Sequence, residues 1–491
     1  MSTGLALTFG LYVAGLVGIG VYFFWRTETR RLSDYMLAGR DVGTWPIALS
    51  EVASVASGWT FFAWVGVGFT TGLHGLWFSM AMLAVVLFAY RYVAPTFRRQ
   101  SERLDSQTVV DHLALAFRDS RWGPWIRWTA TLAVVVFMAS YIGAQIIAVG
   151  EALETGLGLR YAVGVGGGGL AVALYTTLGG FDASVWTDFV QGLLVILAAV
   201  ALPIVAIGEI GGWGAFVTEA QAADPTLLSM TAGQEGTALA LSVGSWIAFA
   251  LGALGQPHGL MRFQAIRSER LLSRASVIAM SFQALRLTVP LFIGVAGRVL
   301  YDSVGDPESV AMTMMVDLFP GWFAGLLLAG IIGAILSTSD SMMLVTAADL
   351  TRLYETQIAD RVSVGRMVGL GRGIVGIMAA LGVGLAYWRP GTIFAVIEFA
   401  FVGLGATLGL PLAFLVLWPR TTGAGVFAAV GVGLASAVGN LYLWPATFPI
   451  LVWPVTLAAF LTVCYASAEP TGRTPGPAER ATAPAEAGER E

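Results

Sequence analysis

Two thirds of the way along the chain, Ser337, Thr338, Ser339, Asp340 and Ser341 put four hydroxyls and a carboxylate into five successive residues. Hydroxyl, carbonyl and carboxylate oxygens are what a hard cation such as Na⁺ requires as ligands. A lone Ser or Thr in an apolar helix often does no more than bond the carbonyl four residues back. Five polar groups spread round more than one turn are a stronger signal. Three further carboxylates, Glu51, Asp188 and Glu398, and one cation, Arg286, also fall in apolar stretches. Each costs about 2.5–3.5 kcal/mol at mid-membrane on insertion scales, so such groups face partners or water and mark pathways. For Glu398 and Arg286 a purely structural ion pair or helix-end role stays open beside the functional one.

Most other chemistry is excluded by residue type. The chain has no Lys, so all 27 basic residues are Arg, and P-loop, Schiff-base and Lys-nucleophile mechanisms drop out. The single Cys464 leaves no internal disulfide framework or Cys-based metal cluster. His74, His112 and His258 are too far apart for metal-ligand spacing. The Gly-rich run from Gly164 to Gly169 opens no βα turn and reads as helix packing. A net charge of -4 gives no reason to expect a nucleic-acid partner, and no motif points to an enzyme or to an obligate protein partner.

The elements that must position the polar residues are membrane helices. Charged residues make up 12% of the 491 residues and hydrophobic ones 56%, whereas a soluble domain carries about 25% charged residues. The apolar residues fall in blocks of about twenty, long enough to cross a bilayer as helix. About thirteen spans are expected, at 4–25, 46–71, 75–97, 124–149, 161–179, 185–208, 240–258, 275–300, 321–348, 367–388, 393–418, 423–441 and 447–467. The first has no basic flank or cleavage site and reads as a retained helix. With the N-terminus outside, twenty Arg fall in cytoplasmic loops, and only Arg160, Arg298 and Arg389 lie opposite. That asymmetry follows the positive-inside rule and puts the C-terminus in the cytoplasm of a cell-membrane protein. Residues 1–466 form the transmembrane unit, and 467–491, rich in Ala, Pro, Glu, Gly and Thr, read as a disordered tail.

Segments 45–210 and 240–420 each hold five spans, and an odd number of crossings gives the halves opposite topology. Each opens on a helix interrupted at mid-depth, by Ser57-Gly58 in the first and by Gly255-Gln256-Pro257 in the second. Matched breaks in an inverted repeat point to a secondary transporter with a midplane site.

Four ordered motifs then carry a resemblance. The first runs from Ser33-Asp34-Tyr35 through Leu37-Ala38-Gly39-Arg40 to Ala53-Ser54 and Ser57-Gly58-Trp59. The second is Gly179-Gly180-Phe181 with Trp186-Thr187-Asp188 and Gln191. The third is Gly255-Gln256-Pro257-His258 with Arg262-Phe263, and the fourth runs from Ala334 to Thr338 and on to Leu350-Thr351 and Tyr354. Over about residues 33–355 the chain resembles the sodium–solute symporters, most of all the bacterial sodium/proline branch.

The resemblance implies an all-α, leucine-transporter-like 5+5 inverted-repeat core that couples Na⁺ to import of a small organic solute. It implies sodium ligands from the carbonyls of Ala53, Ala56 and Ala334 and the hydroxyls of Ser337 and Thr338. A second sodium site found in some members maps to Asp188, Ser337, Asp340 and Ser341. Solute-pocket positions map to Trp59, Tyr141 and Pro257, with Gln256 and Phe249 beside them. The chain departs from the proline branch at Val55, where that branch has Asp, and at Phe249 and Ala253, where it has Trp and Tyr. Proline or another small amino acid is therefore the leading solute, with a carboxylate or other nutrient as rival. A solute sensor that does not transport is the rival of another class.

Overall fold

The computed structural model describes residues 3–26, 57–266, 271–359, 363–443 and 449–467. Helix α1 (Thr3–Arg26) comes first. From Ser57 the chain turns into a π-helical segment, Trp59–Ala63, that continues as α2 (Trp64–Thr71). A 3-10 turn at Gly72–Gly75 leads to α3 (Leu76–Phe88), and a second π segment, Ala89–Val93, leads to α4 (Ala94–Leu104). Then follow the short α5 (Val109–Leu115), the long α6 (Trp122–Leu157), α7 (Tyr161–Ile210) and α8 (Trp213–Ala223). The second half opens with α9 (Gly236–Leu251), a 3-10 turn at Gly252–Gly255, and α10 (Pro257–Ala265). Helices α11 (Leu272–Leu300), α12 (Val310–Leu318), α13 (Gly321–Gln357) and α14 (Val364–Trp388) follow. The last are α15 (Ile393–Leu404), α16 (Leu410–Leu417), α17 (Gly423–Leu443) and α18 (Val452–Ala466). A π segment, Gly405–Gly409, joins α15 to α16.

Among the described residues, nine helical stretches are long and apolar enough to cross a membrane, with shorter apolar helices at Thr3–Tyr12, Tyr161–Leu174 and Val452–Ala466. Their limits follow the hydropathy blocks within a few residues in most cases. One boundary differs. The expected spans 161–179 and 185–208 are joined as the single helix α7 of 50 residues. No Pro separates them, and Gly179-Gly180 alone costs only about 1 kcal/mol per Gly in a helix, too little to break hydrogen bonding. At 1.5 Å per residue α7 is about 75 Å long, over twice the bilayer core. The segment 467–491 lies almost entirely outside the described residues, as do Glu51, Ala53, Val55 and Ala56.

The core sits around α13, which packs against α1, α6, α7 and α14 and is buried from Ala324 to Leu353 along most of its length. Outer helices turn apolar side chains outward, as lipid contact requires: Leu11, Leu170, Ile204, Val277 and Ile377 are all more than half exposed. Close packing of α2 on α11 depends on small residues. A Cβ at Gly294 would lie 2.2 Å from the Val65 carbonyl oxygen, and one at Gly68 would lie 2.4 Å from that of Leu291.

Candidate ion and solute site

The residues expected to interrupt the two helices are held by specific contacts. At the first, the Gly58 amide donates to Oε1 of Gln145 on α6, at 3.0 Å. Only Gly fits there, because a Cβ would come within 2.6 Å of the Ala148 Cβ. The same built position lies 3.4 Å from Cγ1 of Ile335 on α13. The start of the first core helix is thus seated one residue from Ala334 and two from Ser337. At the second, Gln256 has extended backbone (φ -74, ψ 104), and Pro257 follows at the start of α10. Gln256 Nε2 donates to the Gly252 carbonyl at 2.9 Å and the Phe401 carbonyl at 3.3 Å, so its side chain replaces helical bonds that the break removes.

The hydroxyl run lies inside α13. Ser337, Thr338 and Ser339 are fully buried, Asp340 is 1% exposed and Ser341 8%. Thr338 Oγ1 donates to the Ala334 carbonyl at 2.9 Å, and Ser339 Oγ to that of Ile335 at 2.8 Å. A hydroxyl that donates backward keeps its lone pairs, and a carbonyl that accepts once keeps one. Thr338 and Ala334 therefore retain the capacity to ligate a cation while bonded to each other. On the far side, Arg262 Nη1 donates to the His258 carbonyl at 2.6 Å and Nη2 to Ser341 Oγ at 3.4 Å. This brings α10 of the second broken helix onto the same run. Asp188 lies in the central part of α7.

An aromatic cavity adjoins the first break. It is lined by Trp59, Phe78, Met82, Tyr141, Phe249, Arg286, Ile397 and Phe401 and has a volume of about 20 Å³, room for one water. Trp59 stacks on Trp64 at 4.8 Å and meets Phe78 at 5.4 Å, and Phe78 stacks on Phe249 at 4.6 Å. A solute the size of an amino acid enters only if these rings move. Of the expected pocket residues, Trp59, Tyr141 and Phe249 meet in this cavity; Gln256 and Pro257 stay at the break beside it. Phe78, Met82, Ile397 and Phe401 are additions that carried no signal, since an apolar residue in an apolar helix is unmarked. Arg286 was marked by its charge and turns out to line the cavity.

Two polar networks escaped the reading of the sequence. Asp111, fully buried on α5, pairs with Arg127 of α6 at 2.7 Å and with Arg352 of α13 at 3.3 Å. Neighbouring His112 is held neutral, its pKa lowered to about 4 by burial, against the pull of Asp111. At the other end of α6, Glu151 pairs with Arg389, and its carboxylate clusters with those of Asp306 and Glu308 within 4.8 Å. Glu308 accepts from the Ile393 and Phe394 amides, both at 2.8 Å, and so caps α15. Its pKa is pushed up to about 7, burial outweighing those two amides.

Helices interrupted inside a bundle, beside buried oxygens, are the construction of a secondary transporter, which opens a central site to one side of the membrane at a time. The chain matches the sodium:solute symporter family over residues 35–433 and belongs to it. It is a multi-pass membrane protein that couples Na⁺ to the movement of a small organic solute, and not an enzyme. It is 32% identical to the high-affinity proline transporter PutP of Bacillus subtilis, over 86% of this chain and 88% of that one. It is 32% identical to the osmoregulated proline transporter OpuE of the same organism, over 95% and 92%, and 29% identical to the sodium/proline symporter of Escherichia coli, over 92% and 90%. Among solved structures, a Na⁺-coupled sialic acid symporter in a substrate-bound outward-open state aligns with TM-score 0.80 at 19% identity, covering 96% of this chain and 99% of that one. The structure of MhsT in complex with L-phenylalanine aligns with TM-score 0.57 at 16% identity, over 85% and 98%. The fold is the leucine-transporter-like core that the resemblance implied.

Proposed function

We propose that the chain imports an amino acid such as proline together with Na⁺ by alternating access. The observation that carries this reading is the seating of Gly58 on Gln145 and Ile335, which brings the interrupted first core helix against the hydroxyl run. Sodium is ligated by the carbonyls of Ala53, Ala56 and Ala334 and the hydroxyls of Ser337 and Thr338. Asp188, Asp340 and Ser341 form a second cation site. The solute lies against Trp59, Tyr141 and Phe249, with Gln256 and Pro257 at its edge. The proline transporters among the relatives support the solute class. The Arg asymmetry of the loops, counted with two crossings between residues 161 and 208, supports an external N-terminus and a cytoplasmic C-terminus. The repeats are taken as 45–210 and 240–420 within a transporter unit of residues 1–466.

An inside-negative potential contributes about 2.3 kcal/mol per 100 mV for each Na⁺ carried inward. That alone sustains roughly a 40-fold solute gradient at about 1.4 kcal/mol per decade. Uptake and counterflow of proline in proteoliposomes, with and without Na⁺, test the reading. Accumulation that follows the sodium gradient is expected. Sodium-dependent binding without any counterflow would make the protein a sensor instead.

A further inference from the structure

We infer that the side-chain oxygen of Gln191 on α7 is a ligand of the second sodium ion, and that Tyr12 of the first helix holds it in place. This rests on the reading of Asp188, Asp340 and Ser341 as a second cation site. Gln191 is fully buried, and its Nε2 donates to the Tyr12 hydroxyl at 3.2 Å. Its Oε1 has no hydrogen-bond partner among the described residues. A buried acceptor in that condition is costly until a donor or a positive charge reaches it. With the nitrogen end bound to Tyr12, the oxygen end is turned away from that hydroxyl. A carboxamide oxygen is a hard, neutral ligand of the kind that suits Na⁺. A buried water would also satisfy it. The two occupants differ in whether removing the oxygen changes sodium binding.

Glycines set how α7 lies against α13. A Cβ at Gly330 would lie 2.7 Å from the Leu194 Cβ. One at Gly333 would lie 2.7 Å from the Gln191 Cγ and would strike the Tyr12 hydroxyl. Three residues forward on α13 match three backward on α7, so the two helices run antiparallel. One more turn in the same sense brings the stretch of α7 that holds Asp188 level with Ser337. Gly333 and Ser337, four residues apart, share a face of α13, and Asp188 and Gln191, three apart, share a face of α7. Neighbours at that spacing have Cβ atoms about 5–6 Å apart, so oxygens from adjacent turns can meet on one ion. Gly333 also precedes Ala334, whose carbonyl is a proposed ligand of the first ion. Helix α1 packs on both α7 and α13, so a helix outside the two repeats reaches the ion site through Tyr12. Tyr12 acts through Gln191 and is a positioning residue.

The full-length protein, purified in detergent at mildly alkaline pH, is titrated with Na⁺ while choline holds the ionic strength. Equilibrium binding of radioactive sodium and the rise of melting temperature with Na⁺ are read together. Gln191→Met keeps the length of the side chain and removes the oxygen. It should raise the half-saturation of one sodium site by about tenfold or more. The KM for proline uptake by proteoliposomes at saturating sodium should stay within about twofold of wild type. Gln191→Glu strengthens the ligand and should lower the sodium half-saturation by about threefold or more. Tyr12→Phe releases the amide and should raise it by a smaller factor than Gln191→Met. Where Gln191→Met is not recovered folded, Gln191→Glu decides by the same titration, and an unchanged or weaker sodium dependence overturns the inference. Asp188→Asn is the reference. Weaker sodium binding in Asp188→Asn but not in Gln191→Met gives the oxygen to a water, overturning the inference and leaving the second site standing. Unchanged sodium binding in both overturns the second site and the inference together. A lower melting temperature in Gln191→Met with an unchanged sodium titration makes Gln191 a packing residue and also overturns the inference.

Discussion

Thr338 is the residue at which ion binding and helix geometry meet, because its hydroxyl donates to Ala334 while both oxygens are proposed sodium ligands. Thr338→Val keeps the shape and removes the oxygen, and mid-membrane water cannot easily replace it. The sodium half-saturation of uptake should rise about tenfold or more, whereas Thr338→Ser should stay near wild type. Equal sodium dependence in all three proteins would remove Thr338 from the site. Asp340 tests a different point. The resemblance gives the proline branch a carboxylate at the position of Val55, whereas this chain has a buried carboxylate at Asp340. A charge moved across the site keeps a formal countercharge for the ion, which matters in low dielectric. Asp340 is 1% exposed, so bulk water does not supply that stabilisation in this conformation. Asp340→Asn should cut sodium-driven accumulation and spare part of the sodium-independent exchange; normal accumulation would sink the idea. The hydroxyl run was legible because five polar groups stand out in an apolar helix. The walls of the cavity were not, since Phe78 and Phe401 look like any other core residues.

The decisive element is the first core helix, described from Ser57 onward, and its start is seated by atoms far off in sequence. Gly58 is needed because of Ala148 and Gln145, 90 and 87 residues away. In Gly58→Ala the added methyl overpacks α6 and disturbs the amide that Gln145 accepts. A loss of about 1–3 kcal/mol is expected from overpacking, read as a lower melting temperature of the purified protein with loss of uptake. An unchanged melting temperature would mean that the turn is loose at this point. Gly255-Gln256-Pro257 announced the second break through residue chemistry, an unfavourable Gly followed by an imino acid with no N–H. The π segments Trp59–Ala63 and Gly405–Gly409 gave no such sign. One extra residue per turn is set by packing, and hydropathy does not encode it. The continuity of α7 was hidden for the opposite reason, because Gly179-Gly180 looks like a break and costs too little to make one.

On the scale of the whole molecule, α6 links two buried charge networks. Arg127 at one end and Glu151 at the other are about 36 Å apart at 1.5 Å per residue. The Asp111 network joins α5, α6 and α13, and the Glu151 network joins α6 to the segments before α12 and α15. Neither was legible: Asp111 and Glu308 fall in short connections, and only the tertiary fold buries them. Glu308 adds a pH dependence that can be measured. Burial raises its pKa from 4.5 to about 7, with Asp306 raising it further and the Phe394 and Ile393 amides and Arg389 opposing. A carboxyl whose folded pKa lies above its unfolded value takes up a proton on folding. Its contribution to stability is therefore complete below about pH 4.5, declines as pH rises toward 7, and is constant above that. Glu308→Gln keeps an acceptor for the α15 amides and cannot ionise. Melting temperatures of both proteins across pH 4.5–8 should show wild type losing stability relative to the variant through the lower part of the range, with the difference level above pH 7. Parallel curves would show that Glu308 titrates as an ordinary carboxylate in the folded protein.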